Sequence, residues 1–201
     1  MKTIRYETRV QDVHIVWAFA SHWNAMHHDN VPGPLHSLLC HFGLFKVSRW
    51  RPPRDFPLVT HLMLLDLGTR ELALCERENF SSLTYFACTI YKPFWPSTDI
   101  EDLLLPRLRD IFERPTSELP PLRAARLFVA KELLREGEEE IRRLAHVSGT
   151  DVRFVELPDV MDEASRHTLA RGLSQAHSNG SLWESRVISY DEILQYSSTA
   201  Q

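Results

Sequence analysis

The pattern of apolar and polar positions divides the chain into a strand-rich first half and a helix-rich second half. Residues 3–10 alternate, with Ile4, Tyr6 and Thr8 on one side, and predict a short opening strand. Val13, Val16, Trp17 and Ala20 fall at helical spacing, and Asn30-Val31-Pro32-Gly33-Pro34 breaks that segment as a turn. Leu38, Leu39 and Phe42 share one face of a second short helix over Leu35–Phe45, and Lys46–Arg51 reads as a strand closed by Pro52 and Pro53. Three strands follow in the middle of the chain: Val59–Leu67, Glu71–Cys75 after the Gly68-Thr69-Arg70 turn, and Leu83–Lys92. The third is apolar on both faces, which places it centrally in a sheet covered on both sides. Short polar links between these strands predict antiparallel pairing, because a parallel return needs a long crossover.

Beyond Pro93-Phe94-Trp95-Pro96 the period becomes helical. Thr98-Asp99-Ile100-Glu101 fits a capping box, and Ile100, Leu103, Leu104, Leu108, Ile111 and Phe112 form an apolar stripe. Pro106 lies within the stripe, so this helix kinks there or begins later. After a loop over Pro115–Pro121, Leu122, Ala125, Val129, Leu133, Ile141 and Leu144 predict one long helix from Leu122 to Ala145. Glu136 to Arg143 form its solvated face, and Gly149 its stop. Asp151–Leu157 reads as a strand, Asp159 as the cap of a helix running to His177, and Trp183–Tyr190 as a last strand. The expected architecture is a single α+β domain over residues 1–194, followed by a polar tail over 195–201. Its sheet is mixed and mostly antiparallel, with helices packed on both faces.

This order of elements resembles that of the acyl-CoA N-acyltransferase fold, in which a central strand leads into a helix that binds pyrophosphate. At the corresponding turn this chain has Lys92-Pro93-Phe94-Trp95-Pro96, which carries no glycine and supplies no amide cradle. The seven glycines, Gly33, Gly43, Gly68, Gly137, Gly149, Gly172 and Gly180, are scattered along the chain. A phosphate cradle needs several close together, because glycine alone reaches positive φ cheaply and lets the main chain approach an anion. G-x-G-x-x-G, G-x-x-x-x-G-K-[ST] and G-x-S-x-G are all absent, which excludes ordinary Walker-type hydrolases, standard Rossmann dehydrogenases and standard α/β-hydrolases. No cofactor is expected.

Composition narrows the partners. Hydrophobic residues at 43% and charged residues at 25% describe an ordinary soluble globular chain. A formal net charge of −4 gives no basic face for nucleic acid, and Arg49-Trp50-Arg51-Pro52-Pro53-Arg54 reads as a solvated loop. The charged start Met1-Lys2-Thr3-Ile4-Arg5-Tyr6-Glu7 is unlike a signal peptide, and the longest apolar runs are far too short for a bilayer. With Cys40, Cys75 and Cys88 in apolar segments and outside any C-x-x-C spacing, reduced buried thiols and a cytoplasmic location are expected.

Candidate chemistry is sparse. His22, His27, His28 and Asp29 are ligand types for a transition metal, but His22 and His27 point apart on a helix. The bland reading, a polar helix end, is preferred, and no metal site is assigned. His36, His41, His61, His167 and His177 are each of the right type for a base near neutral pH, yet no oriented partner is legible beside any of them. The acidic groups Asp99/Glu101/Asp102 and Glu138/Glu139/Glu140 decorate a helix start and a helix surface. Tyr91, Phe94 and Trp95 are proline-flanked aromatics at a strand exit, suited to a pocket edge or a contact surface as well as to core filling. The expected function is a non-enzymatic intracellular interaction or regulatory protein with a protein partner or self-association, binding neither nucleic acid nor membrane. The alternative is a divergent acyl-CoA-dependent acyltransferase-like or other small-molecule enzyme with a cleft near Tyr91–Trp95.

Overall fold

A computed structural model describes residues 7–9, 12–15, 37–41, 58–65, 80–90, 105–112, 120–184, 186 and 188–198. Seven strands form one sheet whose spatial order follows the chain: β1 (Glu7–Arg9), β2 (Asp12–Ile15), β3 (Ser37–His41), β4 (His61–Leu65), β5 (Tyr85–Ile90), β6 (Ala124–Ala130) and β7 (Asp151–Leu157). β4 to β7 form an all-parallel four-stranded core. β3 and β2 extend it in parallel, and only β1 runs antiparallel, against β2. The helices are α1 (Leu105–Phe112), α2 (Lys131–Ser148), α3 (Glu163–Ser178) and α4 (Tyr190–Ser198), with a 3-10 turn at Ser181–Trp183.

The architecture is therefore α/β with a parallel sheet, and the mostly antiparallel expectation is corrected. Residues 66–84 separate β4 from β5, long enough for the crossover that parallel pairing demands, although the chain carries turn signals within that stretch. The Glu71–Cys75 strand expected there lies outside the described residues. The fold resemblance to the N-acyltransferases, drawn from element order on the premise of an antiparallel meander, does not extend to this topology.

Other corrections share one cause. Leu122–Ala145 was expected as one helix, yet Ala124–Ala130 is a strand and α2 begins at Lys131. Every residue of β6 is buried, and the run Ala-Ala-Arg-Leu-Phe-Val-Ala is apolar on both faces except at Arg126. A short continuous apolar run fits either a helix or a doubly covered parallel strand, and only neighbours decide between them. Asp12–Ile15 and Ser37–His41, which overlap the expected helices, are strands as well, paired in parallel with each other. Near the end, Trp183–Tyr190 is not a strand; the chain makes the 3-10 turn and enters α4, which includes Gln195 to Ser198 of the expected tail. Asp162 caps α3, its carboxylate accepting from the Ser165 amide at 2.7 Å, and Asp159 does not.

Several expectations hold. β5 is central and apolar on both faces, its residues from Phe86 to Ile90 all buried. The described part of α1 runs from Leu105 and includes Pro106, and the capping box expected at Thr98–Glu101 lies outside the described residues. Gly149 ends α2 in the left-handed conformation at φ 69°.

Strand parity fixes the layers. Tyr85, Ala124, Arg126, Asp151 and Arg153 point to one face, and Phe86, Ala125, Leu127, Val152 and Phe154 to the other. The Arg142 guanidinium of α2 lies 4.7 Å from the Phe154 ring centroid, which places α2 on the second face. α1 packs against α2 on that side. A sheet ordered along the chain places its connecting helices on one face when every crossover is right-handed, as α1 and α2 show. The 3-10 turn and α3 cover the first face, where Trp183 meets Tyr85. One continuous core joins both layers, from Leu39 and Met63 through Phe86 and Phe128 to Leu173 and Ile193.

α3 and α4 approach so closely that a Cβ at Gly172 would lie 2.1 Å from the Ile193 carbonyl oxygen. Alanine gains about 1 kcal/mol of helix propensity over glycine. Overpacking against rigid backbone costs roughly 1–3 kcal/mol or more, so the clash wins. Gly172→Ala is therefore expected to lower stability in urea unfolding by about 2 kcal/mol; an unchanged or higher midpoint would contradict this packing.

Glu140 links the two helices of the second face, bonded to Arg143 at 2.6 Å and to Arg109 of α1 at 3.2 Å. The Arg143 hydrogen bond, then the charges of Arg143 and Arg109, hold its carboxyl down to about 2 from an ordinary 4.5. Because the unfolded chain takes up this proton at higher pH than the folded one, the contribution is complete above pH 4.5 and lost as pH falls towards 2. Carboxyl carbon NMR of Glu140 should titrate near pH 2, and Glu140→Gln should flatten the stability profile between pH 4.5 and 2.

Candidate functional site

The amino-terminal ends of β4, β5, β6 and β7 are stitched into one rigid edge. The Thr60 carbonyl accepts from the Thr84 and Tyr85 amides at 3.0 and 2.9 Å, and the Thr84 carbonyl from the Arg123 amide at 2.7 Å. The Arg123 carbonyl then accepts from the Asp151 amide at 3.0 Å. Thr150 adds a hydroxyl bond to the Leu122 carbonyl at 3.2 Å. Each strand thus starts at a fixed height against its neighbour, which fixes the side chains that open β4 and β5.

Those side chains are rings. His61 stacks on Tyr85 with centroids 4.3 Å apart and planes 6° from parallel, as expected for directly paired residues on one face. Trp183, from the 3-10 turn, meets both edge-on at 5.4 and 5.7 Å. His177, buried in the last turn of α3, approaches Trp183 from behind at 5.6 Å. The Thr60 hydroxyl lies 2.9 Å from His61 Nδ1. His61, Tyr85 and Trp183 are half-buried, and Leu58, just upstream, is 48% exposed. Such T-shaped and stacked ring pairs contribute about 0.5–1.5 kcal/mol each beyond area burial.

Behind the rings lies a buried charge. The Arg126 side chain, 5% exposed, donates from Nη1 to the Ala125 and Asp151 carbonyls at 3.2 and 3.0 Å. Nη2 donates to Asp151 Oδ2 and to the Glu184 carbonyl, both at 3.1 Å. Its Nε is buried with no hydrogen-bond partner among the described residues. Burial pulls the guanidinium below its ordinary value while Asp151 opposes the shift; a guanidinium nevertheless stays charged. Asp151 also accepts from Arg153 Nε at 2.7 Å. The clamp holds the residue that follows Trp183, and so positions the indole.

The carboxyl-terminal edge is where open parallel sheets place ligands. There the α2 amino terminus has its Glu132 amide donated to Asp159 Oδ1 at 2.7 Å, and Lys131 pairs with Glu156 at 3.0 Å. The chain's own carboxylate therefore occupies a position that an anionic ligand would take.

Of the residues singled out from sequence, Tyr91, Phe94 and Trp95 lie outside the described residues, as do His22, His27, His28, Asp29 and His36. Tyr91 directly follows Ile90, the last residue of β5. His61 and His177 are brought together around Trp183, whereas His167 sits apart, 3.5 Å from Glu163 on the surface of α3. Among the described residues no group of three or more His, Cys, Asp or Glu side chains is arranged to hold a metal. Nor is any helix among them long and apolar enough to cross a membrane. Cys88 is buried in β5.

Sequence reasoning missed Tyr85, Arg126, Asp151 and Trp183. One signal was present: an arginine inside the apolar run Ala124–Ala130 has to find buried acceptors. No family model, no curated protein and no solved structure matches this chain.

Truncating Arg126 to Ala deletes the clamp and leaves a cavity, at an expected cost of about 2–4 kcal/mol. Arg126→Met fills the cavity but leaves the Ala125, Asp151 and Glu184 carbonyls without this donor, so it should cost less than Arg126→Ala by the cavity contribution alone. Urea unfolding of both variants distinguishes this from a solvated arginine, for which neither change would matter.

Proposed function

We propose that this chain is a non-enzymatic, cytoplasmic interaction or regulatory protein that docks a protein partner, or a second copy of itself, through the amino-terminal edge of its sheet. The observation that carries this reading is the half-exposed cluster of His61, Tyr85 and Trp183 beside exposed Leu58, held from beneath by Arg126. Binding energy concentrates on Trp, Tyr and Arg anchors that are already in place, since ordering a side chain on binding costs about 0.5–1.5 kcal/mol. The rings here are fixed by backbone stitching and mutual packing. Arg126 and Arg153 are both committed to Asp151.

A photo-crosslinking residue at position 58 should capture a partner chain in cytosol, and one at Arg135, on the solvated side of α2, should not. Trp183→Ala is expected to weaken capture by about 2 kcal/mol, roughly 30-fold, with the fold retained by urea unfolding. Equal capture at both positions, or an unchanged yield in folded Trp183→Ala, overturns the reading.

A second reading is favoured by one observation. In sequence Tyr91 to Trp95 follow Ile90, the last described residue of β5, whose carboxyl end lies on the edge where open parallel sheets bind ligands. Under that reading Tyr91, Phe94 and Trp95 border a cleft, with a histidine or carboxylate as base, and acyl-CoA is one ligand to test. A ligand at 100 times its dissociation constant adds about 2.7 kcal/mol to native stability. Thermal denaturation with acetyl-CoA should then show a raised midpoint, lost on Trp95→Ala; no shift at millimolar acetyl-CoA removes the coenzyme from this reading.

A further inference from the structure

We draw no further inference here: the strongest candidate, the half-exposed ring cluster of His61, Tyr85 and Trp183 with neighbouring Leu58 at the amino-terminal edge of the sheet, belongs to the surface already described, and nothing in the structure shows what covers it.

Discussion

A charged guanidinium inside a sheet layer can persist only where acceptors surround it, since an unpaired buried ion costs several kcal/mol. Arg126 meets that condition through three separate pieces of chain: its own strand at Ala125, the neighbouring strand at Asp151, and the turn after α3 at Glu184. The acceptors coincide only when β6 and β7 are in the observed register and the 3-10 turn lies against the first face of the sheet. A slip of one residue would send Arg126 to the face covered by α2. Local sequence, sheet register and the docking of the α3–α4 layer are thus coupled through one side chain.

The two edges of the parallel sheet differ in what they leave open. At the carboxyl edge Asp159 caps α2, and Lys131 and Glu156 neutralise each other, so the described part of that edge is electrostatically self-contained. At the amino edge, carbonyl-to-amide stitching from Thr60 through Thr84 and Arg123 to Asp151 fixes the strand starts. Aromatic rings are left partly in solvent there. The imidazoles of His61 and His177 lie against neighbouring rings there. The charged face of α2 differs: Glu138 with Arg142 and Glu140 with Arg143 pair along the helix.

Element existence was more legible than element type. Both faces of β5 are apolar in sequence, and that alone placed it centrally; Gly149 marked a helix limit through a backbone restriction that holds whatever the neighbours. β6 was misread because Leu122, Ala125, Val129 and Leu133 satisfy a helical period, while Ala124–Ala130 is apolar at every position but Arg126 and fits a strand equally well. The His61–Tyr85–Trp183 cluster was illegible for another reason. Its members are far apart in sequence, and the parallel register that pairs His61 with Tyr85 depends on a crossover whose path local pattern does not encode.

By itself the sequence determined where glycine permits tight backbone, which phosphate-binding motifs are missing, and which stretches must be buried. These follow from covalent geometry and hydrophobicity, which each residue carries with it. Tertiary structure decided the direction of every strand in the core, the choice of strand over helix at β6, and the meeting of Arg126 with Asp151 and Glu184. Those outcomes rest on hydrogen-bond partners and packing surfaces contributed by distant segments, which are absent from any short window of the chain.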